Sequence, residues 1–104
     1  MATKAKKTAR RYLEKLAGGR LTLGMAIRAT RESAEMSQAG FARRLGVTRS
    51  YLCDLEKNRK TVSPAQAAKF ARVLGYSEQQ YVRLALQDAL RRAGLAYRVE
   101  IRAA

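Results

Sequence analysis

The stretch from Ser37 to Glu56 constrains the fold more than any other part of the chain. It predicts two short helices joined by a tight turn. Ser37 suits the cap of the first helix, and Thr48 that of the second. Phe41, Leu45, Val47, Leu52 and Leu55 are apolar, Ala42 is small where the two helices must touch, and Gly46 sits where the chain reverses.

The same signals place three more helices. Thr22 caps a helix whose Leu23, Ile27 and Thr30 face inward, while Arg28, Glu32 and Glu35 face out. Asn58 to Thr61 reads as a loop, and Ser63-Pro64 as a cap followed by proline at the first helical position. Ala67, Phe70, Ala71 and Leu74 line the inner face of that helix, and Gly75 ends it. Ser77-Glu78-Gln79-Gln80 has the capping-box pattern and starts a fifth helix, which Gly94 stops. This last helix is apolar on two sides. Val82, Leu86, Ala89, Leu90 and Ala93 form the side expected to meet the core; Tyr81, Leu84 and Ala85 form the side expected to meet a partner. Beyond it Leu95, Tyr97, Val99 and Ile101 alternate with Ala96, Arg98, Glu100 and Arg102, a strand pattern. A lone strand leaves its backbone groups unpaired, so the tail calls for its own copy or another protein. Tyr81, Leu84, Ala85, Tyr97, Val99 and Ile101 are thus the expected dimer interface.

Three segments follow: a basic N-terminal arm over 1–20, with a short amphipathic helix around Ala9, Tyr12, Leu13 and Leu16; a helical unit over 21–75; and the last helix plus strand over 76–104. The expected fold class is all-α, five helices with a short C-terminal β-strand extension.

Charge narrows the function. Of 104 residues, 22 are Lys or Arg and 8 are Asp or Glu, for a net charge of +14. So positive a chain attracts polyanions. Catalysis is not expected. Histidine is absent, the single Cys53 cannot build a zinc site or an internal disulfide, and no glycine-rich phosphate loop occurs. No cofactor or metal is implied. No apolar run is long enough for a membrane span, and the basic start lacks the apolar stretch of a secretory signal, so a cytoplasmic, nucleoid-associated protein is expected.

A helix pair of this kind places its second helix in the major groove of double-stranded DNA. Side chains at that helix's start and one turn on are then within reach of base edges: Thr48, Arg49, Ser50 and Asp54. The planar fork of Arg49 matches guanine O6 and N7. Asp54 could accept from cytosine N4, hold Arg49, or pair along its own helix with Lys57 or Asn58. Arg43, Tyr51, Lys57, Asn58, Arg59 and Lys60 are placed for phosphates, and Gln38 opens a helix whose N-terminus favours one.

Taken together, Met36-Ser37-Gln38, Phe41-Ala42, Leu45-Gly46-Val47-Thr48, Leu55-Glu56 and Ala71-x-x-Leu74-Gly75 resemble the Cro and repressor-type helix-turn-helix family of bacteria and their phages. The resemblance covers residues 21–75. It implies a compact five-helix, lambda-repressor-like domain that acts as a dimer on a two-fold operator. It implies base reading by Gln38, Thr48, Arg49, Ser50 and Asp54, a phosphate grip by Asn58 to Lys60, and a structural ion pair between Arg31 and Glu56. Gly40 within the second helix, Arg59 where a glycine is common, and the appended strand depart from the pattern. The expected function is a transcriptional regulator, a dimeric repressor on a palindromic operator. The alternative is an antitoxin that binds a cognate toxin and represses its own operon.

Overall fold

A computed structural model of the chain describes residues 21–104. The basic arm, with its expected short helix, lies outside the described residues. Five helices follow in order: α1 (Leu23–Ser33), α2 (Gln38–Leu45), α3 (Arg49–Glu56), α4 (Pro64–Leu74) and α5 (Glu78–Arg92).

Each helix starts on the hydroxyl that the sequence offers. Thr22, Ser37, Thr48, Ser63 and Ser77 accept from the backbone N–H groups of Met25, Gly40, Tyr51, Gln66 and Gln80, respectively. Each cap satisfies one of the donors that a helix start leaves without an intrahelical partner. The capping box at Ser77 is half formed. Ser77 caps, but the Gln80 side chain accepts from Arg83 Nε instead of reaching back.

The core gathers one face of every helix. Leu23 and Ile27 of α1, Phe41, Ala42 and Leu45 of α2, Leu52 and Leu55 of α3, and Ala67, Phe70, Ala71 and Leu74 of α4 are all buried. From α5 come Tyr81, Leu84 and Ala85, at 1–2% exposure. This corrects the expectation that these three residues meet a partner. The two faces of α5 are exchanged: Val82, Leu86 and Leu90 are only half-buried, and Ala89 and Ala93 are exposed. The core side is fixed by the larger ring. Tyr81 stacks on Tyr76 with centroids 5.8 Å apart, and its hydroxyl lies 3.5 Å from Thr30 Oγ1. Burial pushes the Tyr81 phenol up to about 12.

One turn beyond Leu84 and Ala85, Asp88 accepts at Oδ2 from the Leu23 N–H at 3.0 Å and so caps α1 from across the domain. Burial raises its carboxyl above the usual range, opposed by that hydrogen bond and by Arg91.

Past Gly94 the chain runs along α5, but the expected strand does not form. Residues 95–104 join no ladder among the described residues, because one copy of the chain offers no neighbouring strand. Tyr97 is exposed, and Val99 and Ile101 are half-buried. No described helix is long and apolar enough to cross a membrane.

Candidate nucleic-acid interface

The turn between α2 and α3 is held by its own backbone. Gly46 takes φ +75°, which a glycine adopts without a Cβ penalty, and Val47 N–H donates to Ala42 O at 3.0 Å. These bonds set the angle at which α3 leaves α2. Leu52 and Leu55 then pin α3 to the core, so its opposite side is outward. Thr48, Arg49 and Ser50 are exposed, and Tyr51, Cys53 and Asp54 are partly so.

The second fixing point is an ion pair that reaches α1. Arg31 Nε donates to Glu56 Oε2 at 2.7 Å and Arg31 Nη2 to Glu56 Oε1 at 2.9 Å, a two-pronged contact with the Glu56 side chain only 3% exposed. The bond to Glu56 raises the Arg31 pKa further. Arg31 Nη1 also donates to Met36 O, and Gln38 Nε2 to Glu56 Oε1 at 3.2 Å. Arg31, Glu56 and Gln38 therefore form one network joining α1, α2 and α3. Gln38 has its amide nitrogen turned inward to Glu56.

The sequence pattern gave no hint of how closely α1 approaches α3. A Cβ on Gly24 would lie 2.0 Å from the Leu55 carbonyl oxygen. This glycine serves the close approach of α1 to the end of α3. Gly40, the departure inside α2, has more room: a Cβ there would meet its nearest neighbour, Ser37 Oγ, at 3.3 Å.

The loop after α3 is built by a Schellman arrangement. Arg59 N–H donates to Asp54 O at 2.8 Å, Asn58 N–H to Leu55 O at 3.1 Å, and Asn58 takes φ +58°. The left-handed position is thus Asn58, which tolerates it better than most residues, and Arg59 carries no such strain. Asn58 Oδ1 accepts from Thr22 Oγ1 at 2.7 Å, and Arg92 Nη2 donates to Arg59 O at 2.6 Å. Both contacts tie the loop to the ends of other helices.

Of the residues named for base contact, Thr48 spends its hydroxyl on the α3 cap, while Arg49 and Ser50 have no side-chain partner among the described residues. Asp54 pairs with neither Arg49, Lys57 nor Asn58. Its oxygens lie 3.7 Å from Arg59 Nη1 and 3.6 Å from Lys60 Nζ. Lys60 Nζ also sits 5.6 Å from the centre of the Tyr51 ring. Arg43 on α2 and Lys57, the C-cap of α3, are exposed as well. The result is a helix anchored on one side and exposed on the other, whose exposed side carries cations and hydrogen-bonding groups.

Comparison with known families gives one match: the helix-turn-helix family model matches residues 27–81, from the middle of α1 to the first turn of α5. Neither a curated protein nor a solved structure matches the chain.

Proposed function

The chain belongs to the Cro and repressor-type helix-turn-helix family and is a DNA-binding transcription regulator; from that premise we propose that it is a dimeric repressor that reads a palindromic operator through α3. The observation that carries the reading is the division of α3 into two sides. Leu52, Leu55 and Glu56 are buried, while Arg49 and Ser50 stand exposed at the N-terminal end with no side-chain partner among the described residues. A major groove admits a helix presented in this way, and an arginine near its start can meet guanine O6 and N7. Arg43, Tyr51, Lys57, Asn58, Arg59 and Lys60 then hold phosphates and set the register. Gln38, fixed by Glu56, supports the first bases. In this reading residues 1–20 are a basic arm, 21–75 read the DNA, and the tail in 76–104 carries dimerisation. The protein works in the cytoplasm, on the nucleoid.

The test is to capture genomic fragments on the purified protein at two salt concentrations and sequence them. A recurrent palindrome is expected, with half-site centres roughly 34 Å or a multiple apart. Enrichment that vanishes into uniform genomic coverage at both salts would overturn the reading. A reporter placed downstream of the recovered site should fall when the protein is expressed, as repression requires.

A second reading, an antitoxin, draws support from the exposed Leu95 and Tyr97, at 46% and 68% exposure. A toxin could cover that apolar surface. Co-purification with the product of a neighbouring gene would support it.

A further inference from the structure

The C-terminal tail lies against α5 through side-chain amides. Gln87 Nε2 donates to Tyr97 O at 2.7 Å, and Gln87 Oε1 accepts from Val99 N–H at 2.9 Å. Gln79 Nε2 donates to Ile101 O. Gln79 and Gln87 are separated by about 12 Å of helix rise. The contacts of Tyr97 and Val99 with Gln87 and of Ile101 with Gln79 fit an extended tail rising about 3.3 Å per residue. The Gln87 amide bridges a carbonyl and the N–H two residues on, which is what a residue of a neighbouring parallel strand does. The glutamine thus substitutes for a strand on one edge of the tail.

In an extended chain, alternate residues point their N–H and C=O groups to opposite sides. With residues 97, 99 and 101 turned to α5, those of Ala96, Arg98, Glu100 and Arg102 face away. None of these backbone groups has a hydrogen-bond partner among the described residues. An unpaired edge of this kind is a template for another strand.

We propose that this edge is the docking site for a second copy of the chain, paired antiparallel across a two-fold axis at Val99. The proposal rests on the dimeric reading above and specifies its contact. Charge argues for a second copy as the occupant, and charge together with apolar pairing selects the register. With the axis at residue 99, the hydrogen-bonded pairs set Arg98 opposite Glu100 of the second copy, twice by symmetry. On the other face, Tyr97 meets Ile101 twice and Val99 meets itself, all at the non-hydrogen-bonded positions where side chains approach most closely. An axis at 98 would oppose Arg98 to itself. One at 100 would oppose Glu100 to itself and Arg98 to Arg102. One at 97 would leave Arg98 facing Ala96, and one at 101 would pair Glu100 with Arg102 but set Arg98 against Ala104 and Val99 against Ala103, losing the apolar contact at Val99.

Cysteine cross-linking in a Cys53→Ser background tests the register. Val99→Cys brings two cysteines together at a Cα separation of about 4.5 Å, within the disulfide range of about 4.4–6.8 Å. Mild oxidation should give a covalent dimer on a non-reducing gel. Leu95→Cys should stay monomeric on that gel, because its two copies lie roughly 26 Å apart along the strands. Sedimentation equilibrium reads the charge pairs. Arg98→Glu or Glu100→Arg alone should raise the dimer dissociation constant about tenfold, and the double exchange should restore it. A dimer that ignores these changes and fails to cross-link at 99 overturns this contact and leaves the dimeric reading standing. A parent chain that stays monomeric at 100-fold the concentration giving half-saturation on its operator overturns both.

Discussion

The two ends of α3 are built on opposite plans. At its N-terminal end Arg49 and Ser50 have no side-chain partner among the described residues, and the backbone beneath them is fixed by the Thr48 cap and the Gly46 turn. At its C-terminal end almost every group is engaged. Asp54 faces Arg59 and Lys60, Asn58 is tied to Thr22, Arg59 to Arg92, and Glu56 to Arg31 and Gln38. A group that must choose among bases has to be free to meet them, whereas a group that grips a uniform backbone gains from being set in advance. Under the proposed function, the difference would give specificity to one end of the helix and positioning to the other.

Glu56→Ala is the hardest blow to the engaged end. It leaves Arg31, whose side chain is 15% exposed, facing an empty site and frees Gln38. Breaking one member of a buried pair costs about 3–5 kcal/mol. The urea midpoint should fall accordingly, with the slope of the transition unchanged. Glu56→Gln keeps one acceptor for Arg31 and should lose less. If Glu56→Ala unfolds at the parent midpoint, the network does not hold the helices together.

Gly24→Ala comes next. The added methyl would lie 2.0 Å from the Leu55 carbonyl oxygen, so α1 or the end of α3 must shift. Overpacking of this kind costs about 1–3 kcal/mol. The shift occurs beneath the loop carrying Asn58 to Lys60, so non-specific DNA binding should weaken along with stability. Gly40→Ala gains helix propensity worth up to about 1 kcal/mol, but its methyl would sit 3.3 Å from Ser37 Oγ, the α2 cap, so stability should change by less than about 1 kcal/mol.

How far the sequence foretold this arrangement depends on whether the controlling interaction is local. Helix starts and stops were legible, because a hydroxyl cap or a glycine stop acts within four residues of itself. The Arg31–Glu56 contact was implied by family resemblance and is present in the geometry. What the pattern could not supply were long-range choices between equal options. Both sides of α5 are apolar, and periodicity alone cannot say which is inner. The answer came from Tyr81, whose ring needs the Tyr76 stack, and from Asp88, whose carboxylate caps α1. The partners of Asp54 were equally hidden. The Schellman turn brings Arg59 and Lys60 back over the helix end, and linear i,i+3 and i,i+4 spacing does not describe that return.

Arg49→Ala and Lys60→Ala set the two ends against each other directly. The first should cost about 1–3 kcal/mol on the operator and relax the choice at one base position. The second should weaken operator and unrelated duplex alike and lower the salt slope by about one. A competition titration with singly substituted operators separates these outcomes. Equal losses on all sequences from both variants would erase the distinction between the ends.

Asp54→Asn has the smallest effect on stability and the most to say about the engaged end. Its ion pairs are long and their cations exposed, Arg59 at 65% and Lys60 at 59%, so their removal should change stability by less than about 1 kcal/mol. Its effect on unrelated DNA should run the other way from Gly24→Ala and Lys60→Ala. Asp54 lies 3.6–3.7 Å from two of the cations assigned to phosphate, and a phosphate must draw them away from that carboxylate. Removing the negative charge releases them, so affinity for unrelated duplex should rise and fall more steeply with salt. Affinity for the operator should rise less, or fall where Asp54 also accepts from a cytosine N4. The ratio of specific to non-specific binding should therefore drop. A ratio that stays at the parent value would mean that Asp54 neither restrains the grip nor reads a base, and the engaged end would then owe its order to Asn58, Glu56 and Arg92 alone.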